Sequence, residues 1–235
     1  SLDVLRRDLE IELEGLRFPD WMIPVHQFGS PPTALAHLAT GRGIQPFRTP
    51  RDYDAFDARL GRAPAVVDQA IANMREGLRR GVVQPRIVVE RSLAQLDALT
   101  RAEAPEASAF WGAVARMPED FPEPERERIR RAYRSRIAGE ILPAYRRLRD
   151  FMRAEYLPRC RDTAGLWALP DGAAWYAHAV REATTTDLAP ERIHEIGLGE
   201  VARIRAEMEA VRRSVGFEGD LRAFFRHLRE DPRYY

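Results

Sequence analysis

The sequence predicts an all-α protein, a multi-helix array or bundle. Three observations carry that expectation. Apolar residues recur at steps of three and four through most of the chain, as one face of a helix requires. No segment alternates apolar and polar residues over a strand's length, and no Asn-Gly hairpin turn occurs. Prolines such as Pro50 and Pro190 stand where helices begin, the one place in a helix that tolerates them.

Each element follows from its residues. Leu2, Leu5, Leu9 and Leu13 form one apolar stripe, and Gly15 is its expected stop. Residues 18–32 are rich in proline and aromatics, which predicts a loop packed against the body. A short helix is expected over residues 32–39. At T49-P-R-D, Thr49 caps, Pro50 takes the first helical position and Asp52 adds negative charge to the first turn; Tyr53, Phe56 and Leu60 then face inward. A helix from near Pro64 presents Val67, Ala70, Ile71, Met74 and Leu78 on one face and ends at Gly81. Residues 85–99 open with β-branched side chains, as a strand would. Their length, Pro85 at the first position and the spacing of Val89, Leu93 and Leu96 favour helix.

The longest element starts near Glu123 and carries Ile129, Tyr133, Ile137, Ile141, Tyr145, Leu148, Met152 and Tyr156. Steps of four overshoot a helical turn, so this stripe is expected to drift around the helix. Pro143 lacks an N–H and its ring clashes with the carbonyl four residues back, so a kink or a split into two helices is expected there. Asp171 is the expected cap of a helix through Ala183. The last long helix begins at Pro190, with Ile193, Gly197, Val201, Ile204, Met208 and Val211 on one face and Arg212 and Arg213 in the last turn, as the dipole favours. Glu209 and Arg213 are spaced to pair on its exposed side. A short helix after Asp220 is expected to bury Leu221, Phe224, Phe225 and Leu228. No repeat and no sharp domain boundary is visible, so residues 1–235 read as a single helical domain or a portion of a larger protein. Ser1 opens straight into a helical pattern and the chain closes on two aromatics; both ends read as cut.

Hydrophobic residues make up 45% of the chain, enough for a core. The 37 basic residues are all arginine and nearly cancel the 36 acids, which argues against a dedicated nucleic-acid binder. The arginines are spread along the chain, so codon bias accounts for them more simply than recognition of phosphate by guanidinium forks. No apolar run reaches the length of a membrane span, and no signal peptide is visible. The single cysteine, Cys160, allows no internal disulfide, which favours a cytoplasmic location without fixing one. Arg159 and Arg161 beside it would lower its pKa if they folded toward it, but an ordinary helix-end cysteine is the simpler reading.

Chemistry-bearing motifs are sparse. His194 and Glu195 look like half of a zinc protease H-E-x-x-H, but the second ligand position is Leu198. His194 falls at the border of the apolar stripe and Glu195 on the solvent side. His26, His37, His178 and His227 have no partner at a metal-ligand spacing, so no metal ligands are assigned in this chain. The short G41-R-G43 and G197-L-G199 are too weak to indicate phosphate binding, and no G-x-S-x-G elbow occurs. No catalytic residue is assigned. The polar segment Thr184, Thr185 and Thr186 has two readings. Its hydroxyls satisfy the last carbonyls of the preceding helix, or the loop touches a ligand together with nearby Trp175, Tyr176 and His178.

The block T184-T-T-D-L-A-P-E-R-I-H-E-I-G197, together with G165-L-W-A-L-P-D-G-A-A-W-Y176, V88-V-E-R-S-L-A-Q-L-D97, I141-L-P-A-Y-R-R-L-R-D-F151 and W21-M-I-P-V-H-Q-F-G29, resembles the bacterial DUF885 family. The resemblance covers nearly the whole chain. It implies a mostly helical, zincin-like metallopeptidase fold of greater length, with an H-E-x-x-P-G-H-type motif downstream that is absent here. On that implication the parent is a zinc-dependent, peptidase-like hydrolase. This chain is its helical, cleft-forming portion, not catalytic by itself, and it carries no cofactor. Thr184, Thr185, Thr186, Asp187, Tyr176 and His178 face a peptide-like substrate. The missing C-terminal portion is its expected partner, and a homodimer is expected where that portion's absence exposes apolar surface. The alternative is a non-catalytic scaffold or binding module, meeting acidic partners through its arginine-rich helix. One departure from the family is Ala189, where a threonine cap is usual; its loss costs about 1 kcal/mol unless Asp187 substitutes.

Overall fold

In the computed structural model, residues 1–234 are described. The chain divides into two compact units, Ser1–Trp175 and Tyr176–Tyr235. The first contains α1 (Leu2–Gly15), α2 (Pro31–Ala39), α3 (Pro50–Leu60), α4 (Ala63–Arg80), α5 (Arg86–Thr100), α6 (Gly112–Ala115), α7 (Glu123–Arg136) and α8 (Leu142–Phe151). The division falls inside α9 (Gly172–Thr184), and the second unit contains α10 (Pro190–Ser214) and α11 (Leu221–Glu230). No strand forms among the described residues; one isolated bridge joins Pro85 and Arg161. The fold is an all-α multi-helix array, as the periodicity predicts.

In the first unit α8 is the central helix. Both α4 and α5 pack on it, α3 packs on α7, and α2 packs on α4. The predicted inward faces are buried: Tyr53, Phe56 and Leu60 on α3, Val67, Ala70, Ile71 and Met74 on α4, and Val89, Leu93 and Leu96 on α5. Leu78 is only half-buried. Burying an aromatic ring removes a large apolar area from water, but a phenol hydroxyl must then find a partner. Four buried tyrosines do so through the main chain. Tyr53 donates to Ala113 O at 3.2 Å, Tyr133 to Tyr53 O at 2.9 Å and Tyr145 to Pro32 O at 2.6 Å, while the Tyr156 hydroxyl accepts from Gln84 N at 3.0 Å. Burial pushes the Tyr53 and Tyr156 phenols up to about 12.

The helix does not break at Pro143. Residues Ile137–Ile141 form a π-turn, and Pro143 sits in the first turn of α8 directly after it. The wider i→i+5 turn accommodates the ring and the missing N–H. A second π-turn, Met152–Tyr156, follows α8. These turns also correct the expected drift of the stripe. Each inserts an extra residue, so side chains spaced by four stay on one line. Ile129, Tyr133, Ile137, Ile141, Tyr145, Leu148, Met152 and Tyr156 are all buried.

Several local expectations are corrected. Gly15 is the last residue of α1 rather than the residue after it, and Leu16 caps in the right-handed region. Pro85 is the extended N-cap of α5, not its first helical residue. The 18–32 loop buries Phe18, Met22 and Val25 but leaves Trp21 and Phe28 exposed. Asp171 accepts Trp175 N at its carbonyl (3.0 Å) with a left-handed φ of 53°, unlike an ordinary extended N-cap. The Cys160 thiol is buried, donates to Tyr156 O at 3.4 Å, and is pushed up to about 11 by burial. The charge of Arg161 opposes that rise but burial outweighs it; its guanidinium donates to the carbonyls of Val83, Thr163 and Gly165.

In the second unit α10 packs on α11. Asp220 caps α11 by accepting Ala223 N at 2.8 Å. Phe224 is buried and Phe217 lies 5.2 Å from both its ring and the His227 ring, but Phe225 is 40% exposed, contrary to expectation. Glu209 pairs with Arg212 at 2.9 Å; Arg213 instead donates to the Glu209 carbonyl. Ala189 caps α10 with no side-chain hydrogen bond, so Asp187 does not replace the missing threonine.

Candidate functional site

The predicted site residues fall on the end of α9 and the loop after it. Tyr176 is exposed and His178 is 6% exposed. Two positions apart on a helix, they point to nearly opposite sides, so α9 does not bring them together. Thr184 is the last residue of α9, and its hydroxyl donates to Val180 O at 2.8 Å. That bond satisfies one of the carbonyls a helix end leaves open. The Thr184 and Thr186 hydroxyls lie 3.1 Å apart, and Thr186 Oγ1 accepts Leu188 N at 3.4 Å. The carbonyl-satisfying role holds for Thr184; Thr186 ties the loop, and Thr185 and Asp187 are exposed on it.

Thr185 is bound by its main chain to Arg181 O at 3.0 Å and has φ of 59°. For a β-branched residue the left-handed region is an outlier, held at a cost on the order of 1–3 kcal/mol. Such strain concentrates at ligand-contact sites. No sequence signal announces it, because left-handed turns are ordinarily read from Gly, Asn or Asp. A second left-handed non-glycine, Asp171, precedes α9 in the turn formed by Pro170, Asp171 and Gly172. Here the residue type tolerates the conformation, and the Gly172 that follows is required because a Cβ there would collide with Leu166 O. Hydroxyl and carboxylate groups on an exposed loop suit hydrogen-bonding recognition. They supply no nucleophile with an adjacent base.

Metal chemistry has no footing in these residues. Among the described residues no three His, Cys, Asp or Glu side chains gather as a metal would need. His194 is exposed on α10 rather than at a buried border, Glu195 pairs with Arg192 at 3.0 Å, and Leu198 occupies the position one turn on. The donor set does not fit a zinc ion. Elsewhere, a cavity of about 630 Å³ opens between α4 and α8. Its charges are already joined, Arg75 with Glu155 at 2.6 Å and Arg147 with Asp68 at 2.9 Å. The arginines of α7 are largely engaged too, Arg128 with Asp54, Arg134 with Glu106 and Arg136 with Asp57.

Two helices present uncovered apolar faces. On α10, Val201, Ile204, Met208 and Val211 follow steps of three and four, and no residue of the helix is buried. On α1, Leu2, Leu5, Leu9 and Leu13 are likewise exposed. No helix among the described residues is long and apolar enough to cross a membrane.

A family model described as "Bacterial protein of unknown function (DUF885)" matches residues 1–235. No curated protein matches the chain. Among solved structures, one described as "the putative lipoprotein from Colwellia psychrerythraea" is similar, with a TM-score of 0.80 and 21% identity. The match covers 90% of this chain but 36% of that one, so the chain spans about a third of its length.

Proposed function

The chain belongs to the DUF885 family of bacterial proteins of unknown function, and on that premise we propose that it is a helical, non-catalytic wall of a longer protein. Its uncovered helix faces dock further polypeptide, and its 184–187 loop faces substrate. The observation that carries this reading is α10. A 25-residue helix with a continuous apolar stripe and no buried residue has not found its full set of neighbours. The length of the similar solved structure agrees, since nearly two-thirds of that chain lies outside the match.

Thiol labelling tests the docking. With Ile204→Cys, the only other thiol is the buried Cys160. The new thiol is expected to react freely in this chain and slowly in a longer form of the protein. Equal rates in both would sink the docking reading.

A second, finer reading is favoured by the strained Thr185. On it, the longer protein is the zinc-dependent, peptidase-like hydrolase that the sequence block implies, with its metal ligands outside residues 1–234. Thr185 and Asp187 then contact a peptide-like substrate. Elemental analysis of this chain and of a longer form separates the cases. Zinc in the longer form alone supports the hydrolase; zinc in neither leaves the non-catalytic scaffold.

A further inference from the structure

One pocket of the first unit has a basic lining. It has a volume of about 310 Å³ and is lined by Gly41, Gly43, Gln45, Arg48, Tyr53 and Arg116, among others, with no acid in its wall. Most guanidinium groups on α4, α7 and α8 meet carboxylates, as described above. Arg48 and Arg116 form no ion pair among the described residues. The charged group that acts on this region, Asp52, is committed to the backbone. Its carboxylate accepts Arg48 N at 2.9 Å and Thr49 N at 2.8 Å at the start of α3.

Two of the pocket's acceptors are engaged within the protein. Ala113 O receives the Tyr53 hydroxyl at 3.2 Å and Arg116 N at 3.1 Å. Gln45 Oε1 accepts from Arg59 at 2.7 Å, and its Nε2 donates to Pro46 O at 3.0 Å. Beside them, Arg48 and Arg116 offer a ligand donors and positive charge. The backbone is shaped to this place as well. Gly41 has φ of 67°, and a Cβ there would lie 3.2 Å from Ala113 Cα and 3.6 Å from Arg116 Nη2. The left-handed φ and the close approach to Ala113 favour glycine here. G41-R-G43 carries no weight as a sequence motif; its meaning comes from Arg116, brought in by α6 from far along the chain.

Two guanidinium groups outnumber the one carboxylate that acts on them, Asp52, and their forked donors match phosphate oxygens. We propose that this pocket binds a phosphate group, either as inorganic phosphate or as the phosphoryl end of a small monoester. The site is independent of the docking faces and of the 184–187 loop.

Calorimetric titration of the chain at low ionic strength with inorganic phosphate, and separately with glycerol 3-phosphate, tests it. Saturable binding is expected for at least one, and the tighter of the two identifies the source. Arg116→Ala and Arg48→Ala are each expected to weaken it at least roughly tenfold. Arg116→Lys, which keeps the charge but loses the fork, should fall between. Arg101→Ala, an exposed arginine elsewhere, is the control and leaves binding unchanged. Circular dichroism checks the fold of each variant; the two pocket arginines are exposed, so folding is retained. Absence of saturable binding, equal affinity for acetate, or indifference to Arg116→Ala overturns the proposal.

Discussion

The Tyr145 hydroxyl donates to the Pro32 carbonyl at 2.6 Å, tying the middle of α8 to the start of α2 across 113 positions. Both residues are buried. Tyr145→Phe keeps the ring and removes one bond from a carbonyl that also serves the helical bonding of α2. Stability is expected to fall by about 0.5–1.5 kcal/mol, the net contribution of one hydrogen bond. Urea unfolding of the two forms measures it; an unchanged midpoint would show that water reaches the carbonyl.

Ala189 leaves the first turn of α10 without a side-chain cap. Ala189→Thr supplies the missing acceptor and is expected to stabilise the second unit by about 1 kcal/mol. Asp220→Ala removes the cap that α11 has, and should cost about the same. Thermal melts followed by circular dichroism read both, in opposite directions.

Thr185 holds a left-handed backbone that its branched side chain resists. Thr185→Gly relieves that strain but adds freedom to the unfolded chain, for a net gain of roughly 0.5–1 kcal/mol. If the loop faces substrate, the same variant of the longer protein binds or turns over substrate less well while melting higher. A variant that is destabilised would show that the left-handed conformation costs nothing here.

Asp231 is held down to about 2 by the Arg233 guanidinium, which it meets at 2.6 Å, and by Arg233 N–H. Its ordinary value is 3.8. The folded form therefore binds the proton less readily than the unfolded one, and the stability this contributes is full above about pH 4. It is lost as pH falls from about 4 toward 2. An NMR titration of the Asp231 carboxyl should show the low midpoint, and Asp231→Asn should remove that part of the acid sensitivity. A midpoint near 4 would mean the pair is broken in solution.

Much of the fold is legible in the sequence because helical periodicity is a local property. The stripe on α4 and the cap at Thr49, Pro50 and Asp52 need no knowledge of the rest of the chain, and both are found as expected. What covers a stripe is not local. Leu2, Leu5, Leu9 and Leu13 on α1 read in sequence like Tyr53, Phe56 and Leu60 on α3, yet the first set is exposed and the second buried. The division between the two units is illegible for a different reason. It falls within α9, where no Gly- or Pro-rich linker marks it. Of the candidate site, the loop itself was legible from three consecutive threonines. The left-handed Thr185 was not, since nothing in its residue type predicts that conformation. Arg48 and Arg116 are lost among the other arginines until the fold brings them to one pocket.

The two π-turns are the places where the run from α7 to Tyr156 has a residue to spare. Deleting Gly139 would let the first turn close into an ordinary α-helix and leave the residues on either side on their present faces. Deleting a residue within α8 has no such slack: every later residue would rotate by about 100°, and Met152 and Tyr156 would swing away from the interior. Lineages that keep this core are expected to confine one-residue changes in length to the two π-turns.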